Sequence, residues 1–189
     1  MKKILFAAIV TGVSVFSLSA HAEGSYAGIA IEKTNSTIDL PGVNVTSNSK
    51  PTGFKLYGGY DFTPNLAIEA GYADFGTAKA DFNVGASSGK VEAKLSSFYV
   101  AGKGTVQFNQ QFSGFGKLGV ARNKADATAT GAGITANASG NETALYAAVG
   151  VAYHFTKNVA ATLEYESFGK SSGNVGKANA ISLGARFSF

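Results

Sequence analysis

Residues 180–189 read Ala-Ile-Ser-Leu-Gly-Ala-Arg-Phe-Ser-Phe, and this stretch decides the fold. Apolar side chains occupy every second position from Ile181 to Phe189, and mostly small or charged side chains stand between them. Alternation with a period of two is typical of a β-strand whose two faces meet different surroundings. Residues 54–62 and 144–155 alternate in the same way. The sequence therefore predicts strands from one end of the chain to the other.

The composition of the two faces distinguishes a membrane barrel from a soluble one. In a soluble barrel, the bulky apolar face fills the interior. Here the second face consists of Gly, Ala, Ser, Lys, Glu and Arg. Such residues fit the interior of an eight-stranded barrel, which has room only for side chains, so we expect the bulky face to meet lipid. A soluble barrel of the lipocalin type is the alternative that the pattern leaves open.

Eight alternating segments are separated by connections of alternating length. The predicted strands are residues 25–34, 53–62, 66–75, 94–108, 111–124, 143–155, 159–168 and 178–189. The short connections are residues 63–65, 109–110 and 156–158, and the long polar ones are residues 35–52, 76–93, 125–141 and 169–177. Short periplasmic turns and longer outer loops are typical of bacterial outer-membrane barrels. The predicted fold class is all-β, an eight-stranded antiparallel up-and-down transmembrane β-barrel.

Two hairpins of this predicted barrel share a sequence pattern. Residues 60–76 and 153–169 carry Tyr, Phe, Thr, Asn, Ala, Tyr, Phe and Gly at the same relative positions. The pattern is explained either by an ancestral duplication or by two hairpins that meet the same physical demands. The periplasmic turns at its centre are predicted to consist of Thr63, Pro64 and Asn65 and of Thr156, Lys157 and Asn158.

The first residues of the chain indicate export. Lys2 and Lys3 precede a short apolar run, and the small residues Ala20 and Ala22 precede Glu23. This is the layout of a cleavable secretory signal peptide. The apolar run is shorter than the roughly 20 residues that a membrane helix needs. We therefore predict a cleaved signal peptide at residues 1–22 and an outer-membrane β-barrel domain at residues 23–189.

Composition argues against several other kinds of protein. The chain has no Cys, so it holds neither a disulfide framework nor a lipidated N-terminal Cys. No segment resembles a basic arm that binds nucleic acid, and no cluster of His, Cys or carboxylates has the spacing of a metal site. We accordingly expect no cofactor, no metal and no nucleic acid partner.

Several short motifs resemble the OmpA transmembrane-domain family. Residues 58–65 read Gly-Gly-Tyr-Asp-Phe-Thr-Pro-Asn and residues 69–72 read Glu-Ala-Gly-Tyr. Lys-Leu-Gly at 117–119, Leu-Glu-Tyr at 163–165 and the ending Ser-Leu-Gly-Ala-Arg-Phe at 182–187 fit the same pattern. The resemblance implies a small barrel in the outer membrane of a Gram-negative bacterium. We expect the barrel alone, without the periplasmic peptidoglycan-binding domain that many members of the family carry.

The resemblance also implies a polar interior. In the OmpA family, acids and bases inside the barrel form salt bridges that can act as a gate. Glu69 and Lys103 match two of those positions, but Ala152 and Thr162 stand where the family has an acid and a base. Buried charges persist only when they are paired, so we expect a network of mixed sign that plugs the lumen. Its predicted members are Lys55, Glu69, Lys103, Lys117, Glu164, Glu166 and Arg186.

The C-terminal aromatic residues are a candidate assembly signal. Phe187 and Phe189 close an alternating strand, and a C-terminal Phe in such a strand resembles the signal read by the bacterial barrel-assembly machinery. That machinery is therefore an expected partner during biogenesis. The alternative is that Phe189 is simply the last aromatic residue that faces lipid.

An enzymatic function is the third of three hypotheses. His154, with Thr156 and Glu164 after it, loosely resembles the His-x-Ser…Glu pattern of a lipid A deacylase. A hydrolytic site needs a nucleophile, a base and an orienting acid in contact, but Thr replaces Ser and His154 lies beside a predicted periplasmic turn, away from surface lipid A. We therefore expect no catalytic residues and no enzyme activity.

The first hypothesis is an integral outer-membrane protein with a structural or adhesin-like surface role. Its long extracellular loops, polar and lightly charged, would contact a host or phage surface ligand, and outer-membrane lipid and lipopolysaccharide would surround the barrel. Loops are the usual place for binding residues on a rigid scaffold. The second hypothesis is a narrow, low-conductance pore.

Overall fold

The computed structural model describes residues 24–35, 52–84, 87–131, 134–169 and 179–189. The predicted signal peptide and most of the predicted loops at 35–52 and 169–177 lie outside these residues. The strands are β1 Ser25–Asn35, β2 Thr52–Thr63, β3 Leu66–Val84, β4 Ser87–Gln107, β5 Phe112–Gly131, β6 Ile134–His154, β7 Val159–Ser167 and β8 Asn179–Ser188. Each pairs antiparallel with its neighbours in sequence, and β8 returns to β1 to close the barrel. The predicted eight-stranded up-and-down barrel is confirmed.

The alternation along each strand separates an outer face from an inner one. On β1, Ile29 and Ile31 are 45% and 63% exposed, whereas Ala30 and Glu32 are buried. Large apolar side chains are exposed in the same way on all eight strands. A barrel in water would bury them, so this surface is the lipid-facing band of a membrane barrel. No helix among the described residues is long and apolar enough to span a membrane.

The four central strands are much longer than the sequence predicts. Strands β3, β4, β5 and β6 contain 19, 21, 20 and 21 residues, whereas β7 and β8 contain 9 and 10. The prediction that residues 76–93 and 125–141 are loops was wrong, because most of them continue the strands. Outside lipid a strand needs no apolar face. Small polar residues can therefore form the backbone ladder without the apolar–polar alternation by which a strand is recognised in a sequence.

The extra length projects beyond the rim of the barrel. Strand β2 follows β3 only as far as the pair Phe54 and Asp74, and β7 follows β6 only as far as the pair Ala147 and Ser167. Beyond these pairs, β3 to β6 remain hydrogen-bonded to one another as a four-stranded sheet. We call this the projecting sheet; it comprises residues 77–84, 87–94, 124–131 and 134–143. At about 3.3 Å per residue, its hairpins rise roughly 30 Å along the strands.

At the opposite end, the β2–β3 turn depends on one threonine. The hydroxyl oxygen of Thr63 accepts hydrogen bonds from the backbone N–H groups of Asn65 and Leu66, at 3.3 Å and 3.0 Å. The side-chain amide of Asn65 donates to the carbonyl of Thr105 on β4, at 2.9 Å. The turn is thus closed internally and tied to the next strand, with Pro64 between its two polar residues.

The β6–β7 turn is built in the same way, which accounts for the repeated pattern. Thr156 accepts from the N–H groups of Asn158 and Val159, at 3.2 Å and 3.1 Å, and the Asn158 amide donates to the carbonyl of Ser188 at 2.8 Å. Lys157 occupies the place of Pro64. Shared turn chemistry is therefore sufficient to explain why the two hairpins resemble each other.

We expect Thr63→Val and Thr156→Val each to lower the free energy of unfolding by about 0.5–1.5 kcal/mol, because each removes an acceptor shared by two N–H groups. The turns are far apart, so the effects should add in the double variant. Urea unfolding in phospholipid vesicles, followed by circular dichroism, measures both. Lys157→Gln, at an exposed position of the same turn, is the control. If the Thr variants matched it, the hydroxyls would not stabilise the turns.

Candidate functional site

A chain of alternating acids and bases crosses the lumen. The Lys117 ammonium lies 2.7 Å from Glu69 and 2.8 Å from Glu164, and the Lys55 ammonium lies 2.9 Å from the same oxygen of Glu164 and 2.5 Å from Glu166. The five side chains come from β2, β3, β5 and β7 and are all buried. The network therefore links opposite walls of the barrel through ion pairs that are shielded from solvent.

Hydroxyl groups complete the hydrogen bonding of the two terminal carboxylates. Tyr26 and Tyr99 donate to the two oxygens of Glu69, at 2.9 Å and 2.6 Å. Tyr146 donates to Glu166 at 2.7 Å. A buried polar network is stable only when its members are fully hydrogen-bonded, and these tyrosines meet that need. The prediction from sequence missed them, although they lie in phase with the small-residue face of their strands.

An aromatic layer lies next to the network, on the side of the projecting sheet. The rings of Tyr99 and Tyr146 are stacked with their centroids 4.3 Å apart, and Phe168 meets Phe75 edge to face at 4.9 Å. All four side chains are buried. Gly71 makes room for this layer, because a Cβ there would lie 2.6 Å from the ring of Tyr99. Ion pairs and rings thus occupy the lumen between the projecting sheet and the level of Lys117.

Two of the predicted network members, Lys103 and Arg186, lie apart from the chain of ion pairs. Glu69 is paired with Lys117 instead of Lys103, the base that the OmpA resemblance suggests. The Lys103 ammonium lies over the rings of Tyr26 and Phe115, with 4.9 Å and 4.7 Å to their centroids. Because Lys117 reaches Glu69 from β5, the family's pairing is not formed.

Arg186 lies near the periplasmic end of the lumen. It forms an ion pair with Asp61, and its guanidinium lies 3.9 Å from the centroid of the Tyr26 ring. The sequence prediction placed Arg186 in the network but did not include Asp61, which stands beside the β2–β3 turn. The seven predicted residues therefore form one connected group of five and two separate cations.

Glu32 is a buried acid that the sequence prediction omitted. It lies on the inner face of β1 and is fully buried, and no hydrogen bond from the described residues reaches its carboxylate oxygens. Its only signal in the sequence is its phase, since it follows the inward-facing Ala30 by two positions. The part of the lumen towards the projecting sheet consequently contains more described acids than bases.

The residues of the enzymatic hypothesis are engaged elsewhere. His154 lies 2.9 Å from the hydroxyl of Ser113, and Glu164 is bound by two lysines. Thr156 accepts backbone hydrogen bonds in its turn. Among the described residues, no hydrogen bond joins these three side chains, and no group of three or more His, Cys, Asp or Glu could hold a metal.

The C-terminal aromatic residues complete the closure of the barrel. Phe187 is paired with Ala27 on β1 and with Val159 on β7. The backbone N–H of Phe189 donates to the carbonyl of Ser25 at 2.9 Å. The last residues therefore hold the seam between the first and last strands, and their role as an assembly signal stays a prediction.

Comparison with known proteins places this barrel in a family. Residues 7–189 match the family model of the outer membrane protein beta-barrel domain. The fold resembles that of Ail, the attachment invasion locus protein of Yersinia pestis, solved in complex with the heparin analogue sucrose octasulfate. The TM-score is 0.58 with 19% identity, and the alignment covers 88% of this chain and 99% of Ail.

Two further solved barrels are similar. Neisserial surface protein A aligns with a TM-score of 0.54 and 16% identity, over 88% of this chain and 98% of its own. The N-terminal barrel of Pseudomonas aeruginosa OprF aligns with a TM-score of 0.50 and 13% identity, over the same shares. No curated protein matches the sequence significantly. The chain thus belongs to the outer membrane protein beta-barrel domain family and lies in the bacterial outer membrane.

Proposed function

We propose that this protein is an adhesin-like surface protein that presents its projecting sheet to partners outside the cell. The observation that carries the proposal is the length of β3 to β6, which continue together beyond β2 and β7. A membrane strand needs only about 9–11 residues, so the additional residues serve no purpose in spanning the bilayer. The rigid plug of ion pairs and rings below them provides a firm base for the sheet.

The outer edge of β6 is the part of the sheet best suited to binding. Among the residues that the structure describes, no strand pairs with residues 134–143 on the side away from β5. This segment reads Ile-Thr-Ala-Asn-Ala-Ser-Gly-Asn-Glu-Thr and contains neither Pro nor Lys, the residues that commonly protect sheet edges. An extended segment of a partner protein can add to such an edge through backbone hydrogen bonds.

A highly charged partner is less well supported by the outer face of the sheet. Its Lys94 lies 3.5 Å from Asp74, and Lys124 lies 3.1 Å from Asp126. These basic side chains are partly neutralised, in contrast to what a heparin-like polyanion would require. The similarity to Ail, the attachment invasion locus protein, supports a role in adherence, and strand addition is the mode that this chain's own geometry favours.

The network across the lumen argues against the pore hypothesis, because ion pairs and rings occupy the described part of the lumen. The proposal includes no enzymatic activity. Lipopolysaccharide around the barrel and the barrel-assembly machinery stay expected partners.

The test is adherence to cultured epithelial monolayers by cells that display the chain at their surface. We expect Ser139→Lys with Asn141→Lys to reduce adherence roughly thirtyfold, because the edge lysines would block two backbone hydrogen bonds of about 1 kcal/mol each. Thr130→Lys on β5, at the same face but inside the sheet, is the matched control and should adhere like the native protein.

Each result separates one part of the proposal. If the native chain conferred no adherence, the surface-interaction role would be wrong. If the edge variant adhered as well as the control, strand addition at β6 would be wrong while the role itself survived. The shift in gel migration between unboiled and boiled samples verifies that all variants form barrels.

A further inference from the structure

The periplasmic end of the lumen contains a buried ammonium without a counter-ion. Lys103 is 4% exposed, and it forms no ion pair within the part of the chain that the structure describes. Lys55 and Lys117, by contrast, each bind two carboxylates. The nearest acid along the lumen, Glu69, already receives hydrogen bonds from Lys117 and from two tyrosines. Lys103 therefore differs from the other two buried lysines in that no carboxylate of the described residues neutralises it.

A second cation contacts one of the two rings that lie against Lys103. The guanidinium of Arg186 and the ammonium of Lys103 lie near the same ring, that of Tyr26. One nitrogen of Arg186, Nε, is buried and has no hydrogen-bond partner among the described residues. The carboxylate of Asp61 forms an ion pair with Arg186. Positive charge at this end of the lumen thus exceeds the negative charge of the described residues.

Aromatic contacts do not fully compensate for the burial of Lys103. A cation over a ring gains about 0.5–2 kcal/mol, whereas taking an ammonium out of water costs several kcal/mol. Neither ring supplies the oxygen acceptors that the N–H donors of an ammonium prefer. An anion with oxygen acceptors would supply both the charge and the hydrogen bonds.

Exposure of the charged side chains rises towards the periplasm, from Lys103 to Arg186 and Asp61, whose side chains are 12% and 30% exposed. On β4 the next inward position, Thr105, is only partly buried. A small ion can approach Lys103 from this end, whereas the network and the aromatic layer close the other side.

We propose that Lys103 and Arg186 form a binding site for a small oxyanion, such as inorganic phosphate, at the periplasmic end of the lumen. The anion accepts hydrogen bonds from the Lys103 ammonium and is attracted by the Arg186 guanidinium. The site is separate from the projecting sheet and does not depend on the proposed surface role.

The experiment uses the folded barrel, labelled with ¹⁵N, in a detergent without phosphate groups. Inorganic phosphate is titrated against chloride at constant ionic strength, and the amide signals of Gly102 and Gly104 are followed. We expect saturable shifts with a Kd on the order of millimolar, about −4 kcal/mol. Lys103→Met should weaken binding at least tenfold, Lys103→Arg should retain it, and Lys33→Met, at an exposed position of β1, should not change it.

Shifts that stay linear, or that persist in Lys103→Met, would overturn the proposal. If Lys103→Met did not fold, the native barrel still provides a test, because a bound anion raises the unfolding temperature with phosphate concentration. Equal unfolding temperatures in phosphate and chloride would then be the contrary result. The same titration in nanodiscs with anionic phospholipid distinguishes free phosphate from the phosphate of a lipid headgroup. If free phosphate bound more weakly there than in detergent, lipid headgroups would be the occupants of the site.

Discussion

Replacing Lys55 by Met is expected to lower the free energy of unfolding by about 3–5 kcal/mol, the usual cost of removing one partner of a buried ion pair. Within the described residues, Lys55 is the only base in contact with Glu166 and one of two in contact with Glu164. Glu32 is a third buried acid, close to Glu166 and Lys55. The variant would leave three buried acids with Lys117 as the nearest base.

Urea unfolding of the refolded barrel in phospholipid vesicles measures this loss. The chain contains no Trp, so circular dichroism and the gel shift report unfolding. Lys33→Met is the matched control, because Lys33 lies on the exposed face of β1, and it should change stability by less than about 0.5 kcal/mol. A Lys55 variant as stable as this control would show that the network contributes little to folding.

A compensating variant tests the charge argument directly. Adding Glu164→Gln and Glu166→Gln to Lys55→Met removes the two acids that each lose an ion pair in the first substitution. Neutral groups cost much less to bury than unpaired charges, so the triple variant should recover a substantial part of the lost stability. Further destabilisation would mean that volume and packing, more than charge, account for the effect of Lys55.

Sequence alternation predicts the membrane part of this fold because lipid imposes it. Every strand that crosses the bilayer must present apolar residues outward, and Ile181, Leu183 and their equivalents carry that signal. Residues 77–84 and 134–143 stand in water, where no such demand acts on either face. Their backbone pairing is equally regular, but their sequence lacks the apolar–polar alternation that indicates a strand. The sequence therefore predicts loops there.

For the barrel interior too, the sequence predicts one property and not another. The phase of each strand predicts that Glu69, Lys103 and Lys117 point inward, but it does not predict which base meets the acid. Strands β3 and β4 are neighbours, yet Glu69 of β3 binds Lys117 of β5 across a corner of the lumen. Contacts between strands that are not adjacent depend on side-chain reach and on the rings of Tyr26 and Tyr99 that occupy the intervening space. These are properties of the packed barrel.

Gly119 and Gly104 differ in whether the barrel has room for a side chain at their positions. Gly119 lies on the inner face of β5, where an added Cβ would contact the carbonyl oxygen of Val100 and lie 2.5 Å from the Cα of Ala101. Both contacts are with the backbone of β4, which cannot move without breaking the ladder. Gly119→Ala is therefore expected to lower the free energy of unfolding by about 2–3 kcal/mol, in the upper range for an inserted methylene group.

Gly104 provides the matched control on the same pair of strands. A Cβ there would meet nothing within 4 Å, and the residue is exposed on the outer face of β4. Gly104→Ala should be neutral or should stabilise the barrel by about 0.4–1 kcal/mol, because Ala restricts the unfolded chain. The urea midpoints of the two variants and the native barrel, measured under the same conditions, compare these effects. If both variants lost the same stability, the close approach of β5 to β4 at Gly119 would not be what requires glycine there.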